Sequence, residues 1–501
     1  MRSLSKSKIL SYLQCPKRLW LEVKRPELIE NSAATEASFK VGHQVGEIAQ
    51  HLFDPEGKGV LIDPQKDGFE AAFAKTAELL TSFQPIFEAA LTTGDALALA
   101  DVMLPLNKKG TPKWRMIEVK SSTSVKDYHR DDIAVQAHIA KETGVDVKQI
   151  EVACIDSQWV YSGSNNYQGL LKTTDLTDEA FSRNAEVKKW IVDARKIVSK
   201  RVEPKISTGP QCTHPYSCGF YEYCSQKEPQ AKFPLAWLPN IRTNALKALI
   251  HADGVADLRH VPDELLNEKQ LRVKRHSVSG KVYFDKAGAA EDLAAYKLPA
   301  YFLDFESVNL AVPIWKGRRP YQQVVFQYSL HKMSRTRDLK HTSFLDLSGN
   351  DPARLFADKL IKDCGKTGPI FVYNIGFEST RVKELAAQFP GLKQPLLALN
   401  DRMVDLWPVA KNRYYHPSQQ GSWSIKSVLP AIAPDLSYDD LEGVNDGGMA
   451  MEAFSEAISA EITLERKAEI EVQLLAYCRM DTFALVRLWA FFSGNAPMID
   501  S

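Results

Sequence analysis

The sequence predicts an α/β protein built from two or three domains, and three observations carry that expectation. The chain has 501 residues, too many for one ordinary hydrophobic core. Apolar runs of strand length alternate with amphipathic helical segments twice, over 1–232 and again over 299–501, with a helical stretch between them at 233–298. Hydrophobic residues make up 44% and charged residues 25%, a balance that excludes a disordered or fibrous chain.

Each element follows from local pattern. "EASFKVGHQVGEIAQHLF" (36–53) repeats apolar residues at three and four spacing and reads as a helix, and a second helix follows over 69–83. "IFEAAL", "DALALADVML" and "WRMIEVKSS" read as strands, the last two separated by the turn-like "PLNKKGTPK". A helix over 130–142, the strand "IEVACID" and one long helix over 178–200 complete this first unit, which closes on "QCTHPYSCGFYEYC". The middle stretch, "NALKALIHADGVADLRHVP", reads as a small helical connector. The second unit runs through "AYFLDFESV", "VVFQYSLHKM", "HTSFLDL", a helix "PARLFADKLIKDC", a strand "PIFVYN", a helix "ESTRVKELAAQF" and a final helix ending "LLAYCRMDTFALVRLWAFF".

Charge and hydropathy narrow the function classes. Lys plus Arg number 63 against 62 for Asp plus Glu, so a nucleic-acid surface is expected only as a local patch. No uncharged apolar run approaches the roughly 20 residues that span a bilayer. A cytoplasmic protein without a membrane partner is expected.

Two acid constellations carry the chemistry. In "YFLDFE", Asp304 and Glu306 lie two apart and share one strand face, with Phe302 and Phe305 packing elsewhere. Like charges this close need a positive partner, and a divalent cation is the commonest. Glu378 falls at the start of a helix just past "PIFVYN", while Tyr477 and Asp481 lie four apart on the last helix. Asp405 in "MVDLW" reads as a helix cap. In the first unit Asp101 ends one strand, and Glu118 and Lys120 share a face of the next. Gln136 sits on the following helix, and Glu88 on the preceding strand is a further acidic candidate. Cys154, Cys364 and Cys478 read as core thiols, leaving Cys15, Cys212, Cys218 and Cys224 to be explained.

The acids of the second unit resemble the D-x-E, N-x-x-F-D and Y-x-x-x-D motifs of DnaQ-like 3′–5′ exonucleases, subclass DEDDy. The resemblance implies an RNase H-like α/β domain over 299–501. Asp304, Glu306, Glu378 and Asp481 would then hold two metal ions and Tyr477 would orient the attacking water. Glu378 departs from the family's Asp by one methylene. The first unit resembles the PD-(D/E)XK nucleases, in particular iron–sulfur RecB-like exonucleases such as AddB and the CRISPR-associated RecB-family enzymes, implying a restriction-endonuclease-like fold over 1–232. Asp101 and Glu118 would bind Mg2+ or Mn2+, Lys120 would orient water, and Gln136 matches the Gln of Q-x-x-x-Y, with Ala140 in the Tyr position. Gly46 stands where the family has a metal-binding His, with Glu47 as its substitute. One cysteine before the core and three after it imply a 4Fe-4S cluster on Cys15, Cys212, Cys218 and Cys224 that staples the domain. Zinc, with His214 as a ligand, is the competing reading.

The sequence thus leads to two nucleases in tandem acting on DNA, single-stranded or at ends, with RNA as an alternative substrate. Lys17, Arg18, Trp20, Lys24 and Arg25 suit contact with a single strand. A nucleic-acid-binding scaffold with one inactive site, and a zinc-stapled RNA-processing exonuclease, are the other readings.

Overall fold

The computed structural model describes residues 3–251 and 254–496. The chain is mixed α/β and divides into two compact units: Met1–Pro229 with Leu310–Gln322, and Gln230–Asn309 with Gln323–Ser501. The 233–298 stretch clusters with the second unit. Residues 310–322, placed by sequence pattern inside the second domain, cluster with the first, because Ala311 and Val312 are buried against Val45, Ile155 and Leu170. Ala252 and Asp253 of the expected connector turn lie outside the described residues.

The first unit is built on a seven-stranded sheet. Its strands are β1 (Leu4–Ser5), β2 (Val60–Leu61), β3 (Ile86–Thr92), β4 (Ala96–Pro105), β5 (Trp114–Lys120), β6 (Val147–Ile155) and β7 (Leu171–Asp175), ordered β2-β3-β4-β5-β6-β7 with β1 alongside β4. β3, β4 and β5 form an antiparallel meander, and β5 runs parallel to β6 through the crossover helix Asp127–Glu142. Period two decides which helix each side chain meets. Met116 and Trp114 of β5 share a core with Ile133 and Ala137 of the crossover helix. Ile117 and Val119 instead pack toward the helix Ala33–Phe53. The single helix expected over 178–200 is two, Thr177–Ser182 and Asn184–Ser199, broken at Arg183.

In the second unit, β8 (Tyr283–Phe284) pairs with a later strand, β14 (Tyr414–Tyr415). The main sheet holds β9 (Ala300–Val308), β10 (Val324–Met333), β11 (Leu339–Leu345), β12 (Ile370–Val372) and β13 (Met403–Asp405), in the order β11-β10-β9-β12-β13. The first three are antiparallel, and β12 and β13 run parallel to β9. Tyr301, Leu303 and Phe305 face the helix Ala353–Cys364, with Phe305 edge-on to Phe356 at 5.0 Å. The expectation that Phe302 packs away from the acids is corrected. It shares their parity and meets Trp489 of the C-terminal helix, Leu464–Phe492, at 5.8 Å. That helix lies on the acid-bearing face of β9.

Among the described residues no helix is long and apolar enough to cross a membrane.

Candidate functional site

Each unit gathers acids on one sheet face beside one helix. In the first unit, the parity that sends Val119 to one side turns Glu118 and Lys120 toward the crossover helix, where Asp132 and Gln136, one turn apart, meet them. Lys120 Nζ donates to Glu118 Oε1 at 2.6 Å and to Asp132 Oδ2 at 2.7 Å. Gln136 Nε2 donates to Glu118 Oε2 at 2.6 Å and Asp132 Oδ1 at 3.0 Å, while its Oε1 is buried without a partner. Lys6, at the start of the helix Lys6–Gln14, places Nζ 2.8 and 2.9 Å from the two oxygens of Glu118. Asp101 Oδ2 accepts from the Val119 amide at 2.7 Å. Glu88 lies opposite Asp101, where the β3–β4 pairing skips one position and Glu88 takes φ 56°, a left-handed conformation that is rare outside glycine. It acts electrostatically on Asp101.

Burial and crowding set the proton affinities here. Burial, then Asp101 and Asp132, push the Glu118 carboxyl up to about 7 despite Lys120 and Lys6. Burial alone would raise Asp132 too, but the two lysines hold it well below the ordinary carboxylate range. Glu47 is corrected: it is exposed on Ala33–Phe53, a helix that packs on the opposite sheet face, and joins none of these contacts.

In the second unit, the thiol of Cys478 lies 3.9 Å from both the carbonyl oxygen and Oδ2 of Asp304. Asp304, Glu306 and Cys478 bring three donor atoms within 4.8 Å of one another. Cys478 is buried as expected of a core thiol, but it belongs to the acid site. Asp481 accepts from the hydroxyl of Tyr438 at 2.5 Å and from that of Tyr477. Glu378 is buried in the first turn of Gly376–Gln388, with Oε2 lacking a partner, and repels both Asp304 and Glu306. Leu406, not Asp405, is the cap residue of the following helix; Asp405, one residue before it, accepts from the Trp407 amide at 2.9 Å and from the amides of Asn374 and Ile375. It thereby fixes the turn that presents Glu378, with Asn374 at φ 66°.

Burial is the largest cause of the shifts in this cluster. It raises Asp304 well above the carboxylate range, with Asp481 and Glu306 adding to it. Burial and Asp481 push Glu306 up to about 8, and burial pushes Glu378 up to about 8. Asp481 rises less, to about 6, because Tyr438 and Lys426 favour its charged form. Crowded together and taken out of water, these carboxyl groups favour their neutral forms, and a positive charge among them would reverse that preference.

Cys15, Cys212, Cys218 and Cys224 line one cavity with Lys17, Arg18 and Phe220. His214 is exposed and is not among its lining residues. The strand-contact patch is corrected at Lys17, Arg18 and Trp20, while Lys24 and Arg25 are exposed. Lys17 is buried in an ion pair with Glu203 at 3.0 Å, Arg18 pairs with Glu22, and the Trp20 ring is buried with Nε1 donating to Lys200 O at 3.0 Å. An indole packed this way offers no face to a base.

Pattern reading missed Lys6, Asp132, Tyr438 and the place of Cys478. The Asp132 to Gln136 spacing is the same i,i+4 signal that exposed Tyr477 and Asp481; Lys6 has no comparable local signal.

Residues 301–424 match the model of a domain family described as a domain of unknown function, DUF2779. The match contains Asp304, Glu306, Glu378 and Asp405 and ends before Tyr477. The chain is also similar to "Uncharacterized protein UU173" of Ureaplasma parvum serovar 3, 28% identical over 174 residues, which cover 31% of this chain and 25% of that protein.

Proposed function

We propose that the protein is a metal-dependent nuclease with two active sites, degrading DNA from single-stranded ends, with 3′–5′ polarity in the second unit. The observation that carries the reading is the convergence of buried Glu306, Glu378 and Asp481 on half-buried Asp304, which all three repel. They lie beside an antiparallel three-strand meander extended by two parallel strands, the order expected of an RNase H-like domain. Four acids with raised proton affinity, three of them buried and Asp304 half-buried, and one orphaned carboxylate oxygen fit a divalent pair. Bound there, Mg2+ or Mn2+ supplies electrostatic stabilisation of the attacking and leaving oxygens. Tyr477 holds the water that attacks phosphorus, and Asp481 fixes the Tyr477 hydroxyl. In the first unit, Asp101, Glu118 and the Gln136 carbonyl would hold a cation, and Lys120 Nζ would orient water and steady charge on the phosphorane oxygens.

The four-cysteine cavity fits a 4Fe-4S cluster, whose role is to tie the N-terminal helices to the end of the unit. Zinc on the same four thiolates is the competing occupant, and the two differ in colour.

The test uses 3′- and 5′-end-labelled single-stranded DNA, with RNA in parallel, plus Mn2+. The Lys120→Ala chain is expected to shorten DNA from its 3′ end, and the Asp304→Ala, Lys120→Ala chain to leave it intact. Equal rates for the two overturn the reading of the second unit.

A further inference from the structure

The first-unit pocket holds a cation of its own. Lys6 Nζ bridges both oxygens of Glu118 and lies 3.4 Å from Asp132 Oδ1. Its placement is fixed by the backbone: β1, immediately before it, pairs with the start of β4, the strand that carries Asp101, and Ser5 caps its helix. Lys6 is therefore held in the pocket rather than swung in from the surface. With Lys120 and Gln136 also donating, every oxygen of Glu118 and Asp132 already faces a side-chain donor. The buried Gln136 Oε1 remains without one.

Charge counting then limits what else enters. Fully ionised, Glu88, Asp101, Glu118 and Asp132 carry four negative charges, and Lys6 and Lys120 offset two of them. One divalent cation neutralises the remainder, and a second would add uncompensated charge at a buried site. We propose that Lys6 occupies the place of a second metal ion, so that this pocket takes a single divalent cation, seated by Asp101, Glu118 and the free carbonyl of Gln136. The inference rests on the reading of this pocket as a metal site, and goes beyond it in fixing how many ions enter.

The experiment is calorimetric titration of Mn2+ into the full chain carrying Asp304→Asn and Asp481→Asn, which silence the second unit. Ions that still bind after Asp101→Asn and Glu118→Gln are added are assigned elsewhere and subtracted. One Mn2+ is expected in the pocket with Lys6 present, one with Lys6→Arg, and two with Lys6→Met. Two ions with Lys6 in place overturn the proposal, as does a count of one at unchanged affinity in a Lys6→Met chain whose circular dichroism is native. If Lys6→Met does not fold, the count in the Lys6 chain decides alone. Absence of any pocket Mn2+ in every variant is a different result, which removes the metal reading of the first unit itself.

Discussion

Glu306 and Glu378 each hold a proton up to about pH 8 in the folded chain, against an ordinary value of 4.5. Below the ordinary carboxylate range both folded and unfolded states are protonated, so nothing is lost. As pH rises above it, the unfolded chain releases protons that the folded chain keeps, so stability without metal falls until about pH 8. The expected outcome is a Tm without metal that declines over this window, and an Mn2+-induced rise in Tm that grows over it. Asp304→Asn should flatten both trends by removing one of the mutually repelling charges, as a thermal scan across pH would show. Lys120→Ala belongs to the same scale. It removes the ammonium but leaves the acids, so turnover by the first unit should fall by about two orders of magnitude or more while Mn2+ binding persists. Of these residues, Glu118 and Lys120 could be read from period two alone. Lys6 could not, because its partner Glu118 lies 112 residues away and only the folded chain brings them together.

The C-terminal helix shows what one element contributes. Tyr477, Cys478 and Asp481 project from it toward β9, and Tyr438, from a short turn before it, completes the grip on Asp481. The two tyrosines should be separable. On the proposed mechanism Tyr477→Phe removes the hydroxyl that would hold water, so turnover should drop in part with metal dependence unchanged. Tyr438→Phe removes a buried hydrogen bond to the charged form of Asp481, which raises its proton affinity. The acidic limb of the pH–rate profile then moves to higher pH in Tyr438→Phe, measured on single-stranded DNA with Lys120→Ala in the background. The i,i+4 spacing made Tyr477 and Asp481 legible beforehand. Tyr438 was hidden, since a lone tyrosine in a polar turn has no pattern to mark it.

At the scale of the whole molecule, the four cysteines join residue 15 to residues 212, 218 and 224 across nearly the full length of the first unit. A cluster there closes a very long loop, so Cys15→Ser should lower the Tm of the first unit, and anaerobically purified wild-type protein should be brown where the variant is pale. A colourless wild type with stoichiometric zinc would reverse the assignment. The same scale separates what the chain's pattern decides from what folding decides. Alternation at period two and 3.6 is local, so it determined the α/β class, most strands and helices, and which of Asp304, Glu306, Glu118 and Lys120 share a face. It could not say which helix covers that face. Glu47 was assigned to a site on the wrong side of the sheet, and Trp20 to a surface where it is buried, because a helix's own sequence shows its apolar stripe but not the partner it packs on. Residues 310–322 joined the first unit for the same reason: burial of Ala311 and Val312 is settled by contacts far along the chain, and only the tertiary structure brings those contacts into being.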